Sequence, residues 1–318
     1  MEGSRGLGDV YKRQVFNLIK NAFSSHENWE VAWKDPTPKK SYDVIIIGGG
    51  GHGLATAYYL AKEHNITNVA IIEKGWIGGG NVGRNTTIIR SNFMHDANGR
   101  FNEFSMDLWR NMSQELNFNV MFSPRGIINL AHSDAQMNAY ARRGNSMRLN
   151  GIDAVLLNRE QVKKLIPMAD FSEDVRFPIF GGLMQPSAGT ARHDAVAWGY
   201  ARQADSMGVD IIQNCEVIGF DVVGGKIKGV RTSKGDIKAN KIGLCVAGST
   251  SILAEKLNMT LPIETHLLQA CVSEPIKPLL DHVVTFGAGH FYCSQSDKGE
   301  MVMGCLLYTS DAADDGLC

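Results

Sequence analysis

The sequence lacks an excess of charge of either sign. Lysine and arginine total 32 against 33 aspartates and glutamates, a net charge of −1, and the pI is near 6.8. That balance excludes a nucleic-acid binder working through a broad basic face, and it argues against a polybasic membrane anchor. No apolar run reaches the ~18–20 residues of a membrane-spanning helix. The N-terminus has no apolar signal-peptide core. Six cysteines (Cys215, Cys245, Cys271, Cys293, Cys305, Cys318) form no CxxC pair and no Cys/His ligand spacing. Most lie in apolar, strand-like runs where buried thiols are usual, so a disulfide scaffold is not expected. The compartment reads as reducing and cytoplasmic. No Ser/His/Asp array, metal-ligand cluster, internal repeat or low-complexity segment is visible.

What is present is size and glycine. A chain of 318 residues corresponds to about two domains at ~150 residues each, and can bury roughly 75% of its extended surface. Glycine reaches 34 residues against 9 prolines, with clusters at 48–53 and 78–83. Dense local glycine marks backbone that must take φ > 0 or approach something closely.

The first cluster has a telling context. Tyr42 to Ile47 is an apolar, β-branched run suited to a buried parallel strand. It enters Gly48-Gly49-Gly50-Gly51-His52-Gly53, a helical Leu54–Lys62 follows, and a second strand over Asn68–Ile72 ends at Glu73. Strand, glycine turn, helix, strand and acid form a dinucleotide-binding fingerprint. Gly48 makes the tight turn, Gly50 admits a pyrophosphate, and Gly53 lets helix and strand pack. The helix N-terminus suits phosphate, and Glu73 can accept from ribose hydroxyls. The second loop, Gly78 to Thr87, is rich in amide and hydroxyl donors. Further on, strands at Glu216–Val222, Lys226–Arg231, near Ile237 and at Ile242–Ala247 read as a β-meander with turns at Gly224-Gly225 and Lys234-Gly235. Together these predict an α/β protein, α+β overall, with an FAD-binding domain of the glutathione-reductase type.

The intervening segments predict a second, mixed-sheet domain. Val120–Leu130 and Val155–Leu157 alternate as edge strands, and Asp134–Leu149 and Arg159–Leu165 read as helices. Ile263–Ser273 and Asp281–Ser294 read as strands, and Tyr292–Gly304 as a hairpin turning at Asp297-Lys298-Gly299. A mostly antiparallel sheet covered by helices on one face fits this order. Residues 15–40, with a helical Phe16–Phe23 and the extended Pro36-Thr37-Pro38, read as an arm that packs on a neighbour or partner. The domain reading is 41–118 with 186–255 for FAD and 119–185 with 256–304 for substrate. Residues 1–14 and 305–318 resemble translated sequencing-adapter ends. The natural sequence is therefore expected to run from about Val15 to Gly304 as a C-terminally cut fragment, inactive by itself.

Several motifs carry a family resemblance. GGGGHGLATAYYLA, GNVGRNTTIIRSN, QPSAGTARHDAVAWGYAR (185–202), DIIQNCEVIGF (210–220) and HFYCSQSDKGE (290–300) resemble the β subunits of heterotetrameric sarcosine oxidases, in the D-amino-acid-oxidase-like superfamily. The resemblance implies oxidative demethylation of sarcosine at noncovalent FAD. Electrons would pass through covalent FMN to O2, giving H2O2, and the methylene would go to tetrahydrofolate or leave as formaldehyde. Partners would be α, γ and δ subunits, with NAD and tetrahydrofolate held on a partner. FAD contacts would fall on Gly48, Gly50, Gly51, His52, Gly53, Glu73, Asn81, Thr86, Ile88 and the backbone of Val217. FMN would be attached to His193, with Arg192 and the following helix offering positive potential to its phosphate. Arg90 would hold the substrate carboxylate; a structural ion pair is the alternative. Tyr292 either lines the pocket or packs in the core, the latter favoured. Two other functions remain open: a D-amino-acid or opine dehydrogenase subunit, and a non-catalytic FAD-binding scaffold.

Overall fold

A computed structural model describes residues 16, 18–25, 27, 31–266, 268–287 and 291–305, the last by its backbone. The expectations for residues 1–14 and 306–318, and for most of the segment 26–30, lie outside the described residues. The chain divides into two compact units, Met1–Lys34 and Asp35–Cys318. In the first, residues 18–23 are helical, as their pattern predicts.

The second unit runs β1 (Ser41–Ile47), α1 (Gly51–His64), β2 (Val69–Ile72), β3 (Ile88–Ile89), α2 (Asp96–Glu115), β4 (Ile127–Ala131), α3 (Asp134–Leu149), β5 (Val155–Asn158) and α4 (Arg159–Leu165). It continues through β6 (Gly181–Gln185), β7 (Gly189–Thr190), α5 (His193–Ser206), β8 (Asp210–Ile212), β9 (Val217–Val223), β10 (Lys226–Thr232) and β11 (Gly235–Leu244). After α6 (Thr250–Glu255) come β12 (Gln269–Pro275), β13 (Val283–Phe286), β14 (Phe291–Gln295) and β15 (Glu300–Cys305).

One sheet has the order β8-β2-β1-β11-β10-β9. Its first four strands are parallel, and β9 to β11 form an antiparallel meander. Ile45, Ile46, Ala70, Ile71 and Ile212 are fully buried, which explains why these strands read as continuous apolar runs rather than alternating ones. The predicted third and fourth meander strands are one ten-residue strand, β11. Its first half pairs with β10 and its second half with β1, so Ile237 faces Val230 and Ile242 faces Ile45. The arm reading is corrected for residues 35–40, which run along this sheet: Asp35 accepts from the Gln213 N–H at 2.9 Å, and Lys39 pairs with Asp210 at 2.7 Å. Tyr42 donates to the same Asp210. Burial first, then the Asp210 carboxylate, push that phenol up to about 12.

The second sheet has the order β12-β15-β14-β13-β4-β6-β5 and is antiparallel except between β13 and β4. Here one expectation fails. β4 is a central strand with all five residues buried, not an edge, and it begins at Ile127 rather than Val120. Only β5 of the predicted edge pair lies at an edge. The helices α3 and α4 fall on their predicted residues, each opened by a side-chain cap: Ser133 on Gln136, and Asn158 in a reciprocal capping box with Gln161. The predicted Asp281–Ser294 strand is two strands, and the β14–β15 hairpin turns at Gly299, with φ +93°.

Candidate functional site

The fingerprint turn is built by what glycine alone tolerates. Gly48 has φ +104°, and a Cβ there would lie 2.2 Å from the Cys245 carbonyl oxygen. A Cβ on Gly53 would lie 2.0 Å from the Gly48 carbonyl oxygen, so α1 rests directly on the turn. Gly50 differs: a Cβ there meets no atom of the described residues within 4 Å. It is also the N-cap of α1, with no side chain capping the first turn and no acid in it. An uncapped helix end with a cradle that a Cβ would fill fits a pyrophosphate.

Glu73 ends β2 beneath this turn. Its two oxygens accept from the Gly49 and Gly75 N–H groups, each at 2.8 Å. The carboxylate thus fixes the turn itself and has lone pairs to spare for a further donor. Val217 is close in the fold, because Cys215 N–H donates to the Glu73 carbonyl at 2.9 Å. His52 is exposed on the first turn of α1, so its backbone rather than its ring belongs to the cradle. Gly51 faces Val82, which joins the first glycine loop to the second. There Asn81–Arg84 is a short 3-10 turn, and Gly83 packs against the Gly78 carbonyl where a Cβ would lie 1.9 Å away.

From that turn the chain passes Thr86 into β3. Thr86 Oγ1 donates to the Tyr292 hydroxyl at 3.1 Å, so Tyr292 reaches from the second sheet to the loop before β3 instead of packing wholly in the core. Gly304 makes room for it, since a Cβ there would strike the Tyr292 ring. Ile88 pairs with Thr190 on β7 and packs with Ile127, Ala188 and Val283. That contact brings the segment before α5 against β3.

His193 opens α5 and is half-buried. Arg192 and this helix end, expected to offer charge to a phosphate, both meet acids of the chain itself. Arg192 is paired with Asp194 at 2.9 Å and with Asp297 at 3.1 Å, and Asp194 also accepts from the Ala195 N–H at the helix end. Burial alone would raise the Asp194 carboxyl, but the Arg192 bonds and the Ala195 N–H outweigh it and hold the group below its usual range. Both positive features thus share Asp194, two residues from Arg192 in the sequence.

Arg90 follows β3 and is largely enclosed. Among the described residues it makes no ion pair. Its Nη1 donates to Asn92 Oδ1 at 2.6 Å, and its guanidinium lies over the Phe93 ring, 4.7 Å from the centroid. Burial, then the positive charge of Arg143, draw its pKa below the ordinary guanidinium value. An enclosed guanidinium without a carboxylate is a poor structural element and a good receptor for one. Asn92, Arg143 and Gln185 were not singled out from sequence, since they meet only through the fold. No group of His, Cys, Asp or Glu among the described residues is arranged to hold a metal.

A βαβ fingerprint, a β-meander returning to the parallel sheet and an enclosed, uncompensated arginine beside them define a flavin-dependent amine oxidoreductase. The family model described as DAO, FAD dependent oxidoreductase, matches residues 43–315. Sarcosine oxidase subunit beta of Rhizobium meliloti (strain 1021) is 60% identical over 290 residues, covering 91% of this chain and 70% of that protein. Its counterpart from Rhodobacter capsulatus is 52% identical over the same shares. The crystal structure of L-proline dehydrogenase from P. horikoshii superposes with a TM-score of 0.79 at 28% identity, covering 87% of this chain and 73% of that one. The chain belongs to the DAO family of FAD-dependent oxidoreductases and, within it, to the sarcosine oxidase β subunits. No helix among the described residues is long and apolar enough to cross a membrane.

Proposed function

We propose that the chain is the flavin-bearing subunit of a multi-subunit sarcosine oxidase, with α, γ and δ partners, converting sarcosine to glycine. The observation that carries this reading is Arg90, an enclosed cation that follows β3 and makes no ion pair among the described residues. Gly48 to Gly53 with Glu73 would hold the FAD pyrophosphate and ribose, and Asn81, Thr86, Ile88 and the Val217 backbone would line the rest. When bound, FAD supplies the hydride acceptor, and FMN linked to His193 supplies the site where O2 becomes H2O2. Arg90 would take the sarcosine carboxylate with its fork, which fixes the amino acid's orientation and directs the N-methyl carbon inward. Tyr292, held by Thr86, would close the pocket on the side of the second sheet. The methylene would pass to tetrahydrofolate or leave as formaldehyde, with tetrahydrofolate and NAD carried by a partner.

The test is anaerobic titration of the FAD-loaded complex with sarcosine, followed by flavin absorbance. Sarcosine should bleach the flavin, and Arg90→Ala should need at least tenfold more of it. Bleaching by D-amino acids or opines but not by sarcosine would replace this reading with the dehydrogenase sibling. No bleaching by any amino acid would leave a scaffold.

A further inference from the structure

A cation meant for an incoming carboxylate must be held still without being neutralised. The surroundings of Arg90 meet both demands through Asn92. An aspartate at this position would fix the guanidinium more firmly but would occupy its charge. An amide oxygen accepts one N–H and brings no net charge.

The amide is oriented at a cost. Asn92 is 1% exposed, and its Nδ2 is buried without a hydrogen-bond partner among the described residues. An orphaned buried donor gives up its bond to water without gaining another. Flipping the amide would not relieve this, because it would turn the NH2 group against the Arg90 guanidinium. The arrangement therefore gives up one hydrogen bond to keep the oxygen on Arg90.

The residue is also locked from behind. Arg143 donates to the Asn92 carbonyl through Nε at 2.8 Å and through Nη2. Gln185, fully buried, grips the preceding residue twice: its Oε1 accepts from the Ser91 N–H at 3.0 Å, and its Nε2 donates to the Ser91 hydroxyl at 2.7 Å. The Ser91 hydroxyl donates in turn to Glu103 at 2.6 Å, whose charge is met by Arg110 at 3.0 Å. Acid is thus present nearby but spent on Arg110. Like Arg90, Arg143 makes no ion pair among the described residues, and burial draws its pKa down too.

We propose that Asn92 is a positioning residue, fixed by Arg143 and Gln185, that aims Arg90 while leaving its charge uncompensated for the substrate carboxylate. This rests on the assignment of Arg90 made above. The test uses the FAD-loaded complex and methoxyacetate, which carries the carboxylate and lacks the amine. Its dissociation constant is read from flavin absorbance, with sarcosine kinetics alongside, for wild type, Asn92→Ala, Asn92→Asp and Arg90→Ala. Asn92→Asp should weaken methoxyacetate at least tenfold more than Asn92→Ala does. It should raise the KM for sarcosine by a like factor while kcat falls less than threefold. Equal losses in the two Asn92 variants, with Arg90→Ala still weakening binding, would overturn this proposal alone. Unchanged binding in Arg90→Ala would overturn the Arg90 reading beneath it. Should Asn92→Asp fail to fold, Asn92→Gln displaces the oxygen by one methylene and should weaken methoxyacetate at least threefold; unchanged affinity overturns the proposal.

Discussion

Two glycines three residues apart should fail in different ways when each gains one methyl group. At Gly53 the new Cβ would lie 2.0 Å from the Gly48 carbonyl oxygen and 3.3 Å from Ile46 Cγ2. Ordinary carbon–oxygen contacts sit near ~3.3 Å, so the turn and α1 must separate by about 1.3 Å. Both sides of the contact are backbone, and overpacking of this kind costs ~1–3 kcal/mol. With ~2–4 °C per kcal/mol for domains of 150–250 residues, the FAD-free protein should lose several degrees of Tm. At Gly50 the backbone is extended, with φ −79° and ψ −179°, and no atom of the described residues lies within 4 Å of the new methyl. The lost N-cap preference of glycine over alanine is offset by the lower entropy of the unfolded chain, ~0.4–1 kcal/mol. The Tm of the FAD-free Gly50→Ala protein should therefore stay within about 2 °C of wild type. If the cradle holds the pyrophosphate, that methyl stands in its way. Loss of one or two charge-assisted hydrogen bonds at ~1.5–3 kcal/mol each weakens FAD at least tenfold. Thermal unfolding of FAD-free protein and fluorescence titration with FAD separate the two effects. Full FAD affinity in Gly50→Ala, or an unchanged Tm in Gly53→Ala, would refute the reasoning.

Three further outcomes are expected. His193→Asn should abolish acid-stable flavin in the co-expressed complex while extractable FAD remains; wholly extractable flavin in wild type would remove the FMN link. Asp194→Asn should destabilise the protein by ~1–3 kcal/mol at neutral pH. The Asp194 carboxyl is depressed in the folded protein, so its contribution is present above the unfolded value near ~3.9 and is lost as pH falls below it. Urea unfolding of the variant and wild type should therefore converge at acid pH, and a constant gap would contradict the linkage. Tyr292→Phe should raise the KM for sarcosine with little loss of Tm if the loop that holds its partner Thr86 borders the flavin; a large Tm loss with unchanged KM would return Tyr292 to the core.

The β1–α1–β2 unit was legible because its determinants are local. An apolar run, a glycine turn and an acid within about thirty residues leave one topology. The α3 and α4 helices were legible for the same reason, since their caps sit three residues from their partners. The central place of β4 was not legible. Its neighbours, β13 and β6, lie far along the chain on either side, and a strand's position within a sheet is set by such partners rather than by its own pattern. β11 misled for a related reason: Lys238 to Lys241 interrupts the apolar pattern at the place where pairing passes from β10 to β1.

The candidate site divides along the same line. Glycines announce themselves, because a missing Cβ is a constraint written into one residue. Arg90 was legible as a position, but its chemistry depends on what surrounds it. An arginine beside an acid is a structural pair, and the same arginine beside an amide is a receptor. The sequence places Asn92 two residues away, yet only the fold brings in Arg143, fifty-one residues on, to hold its carbonyl, and Gln185 to hold Ser91. Arg192 is the converse case. Its counter-ion Asp194 stands two residues away and was readable, whereas Asp297 arrives from the β14–β15 turn. Two arginines of similar sequence setting thus end in opposite electrostatic states. The difference lies in whether the nearest side-chain oxygen belongs to a carboxylate or to an amide: Asp194 compensates the charge of Arg192, and Asn92 leaves that of Arg90 in place.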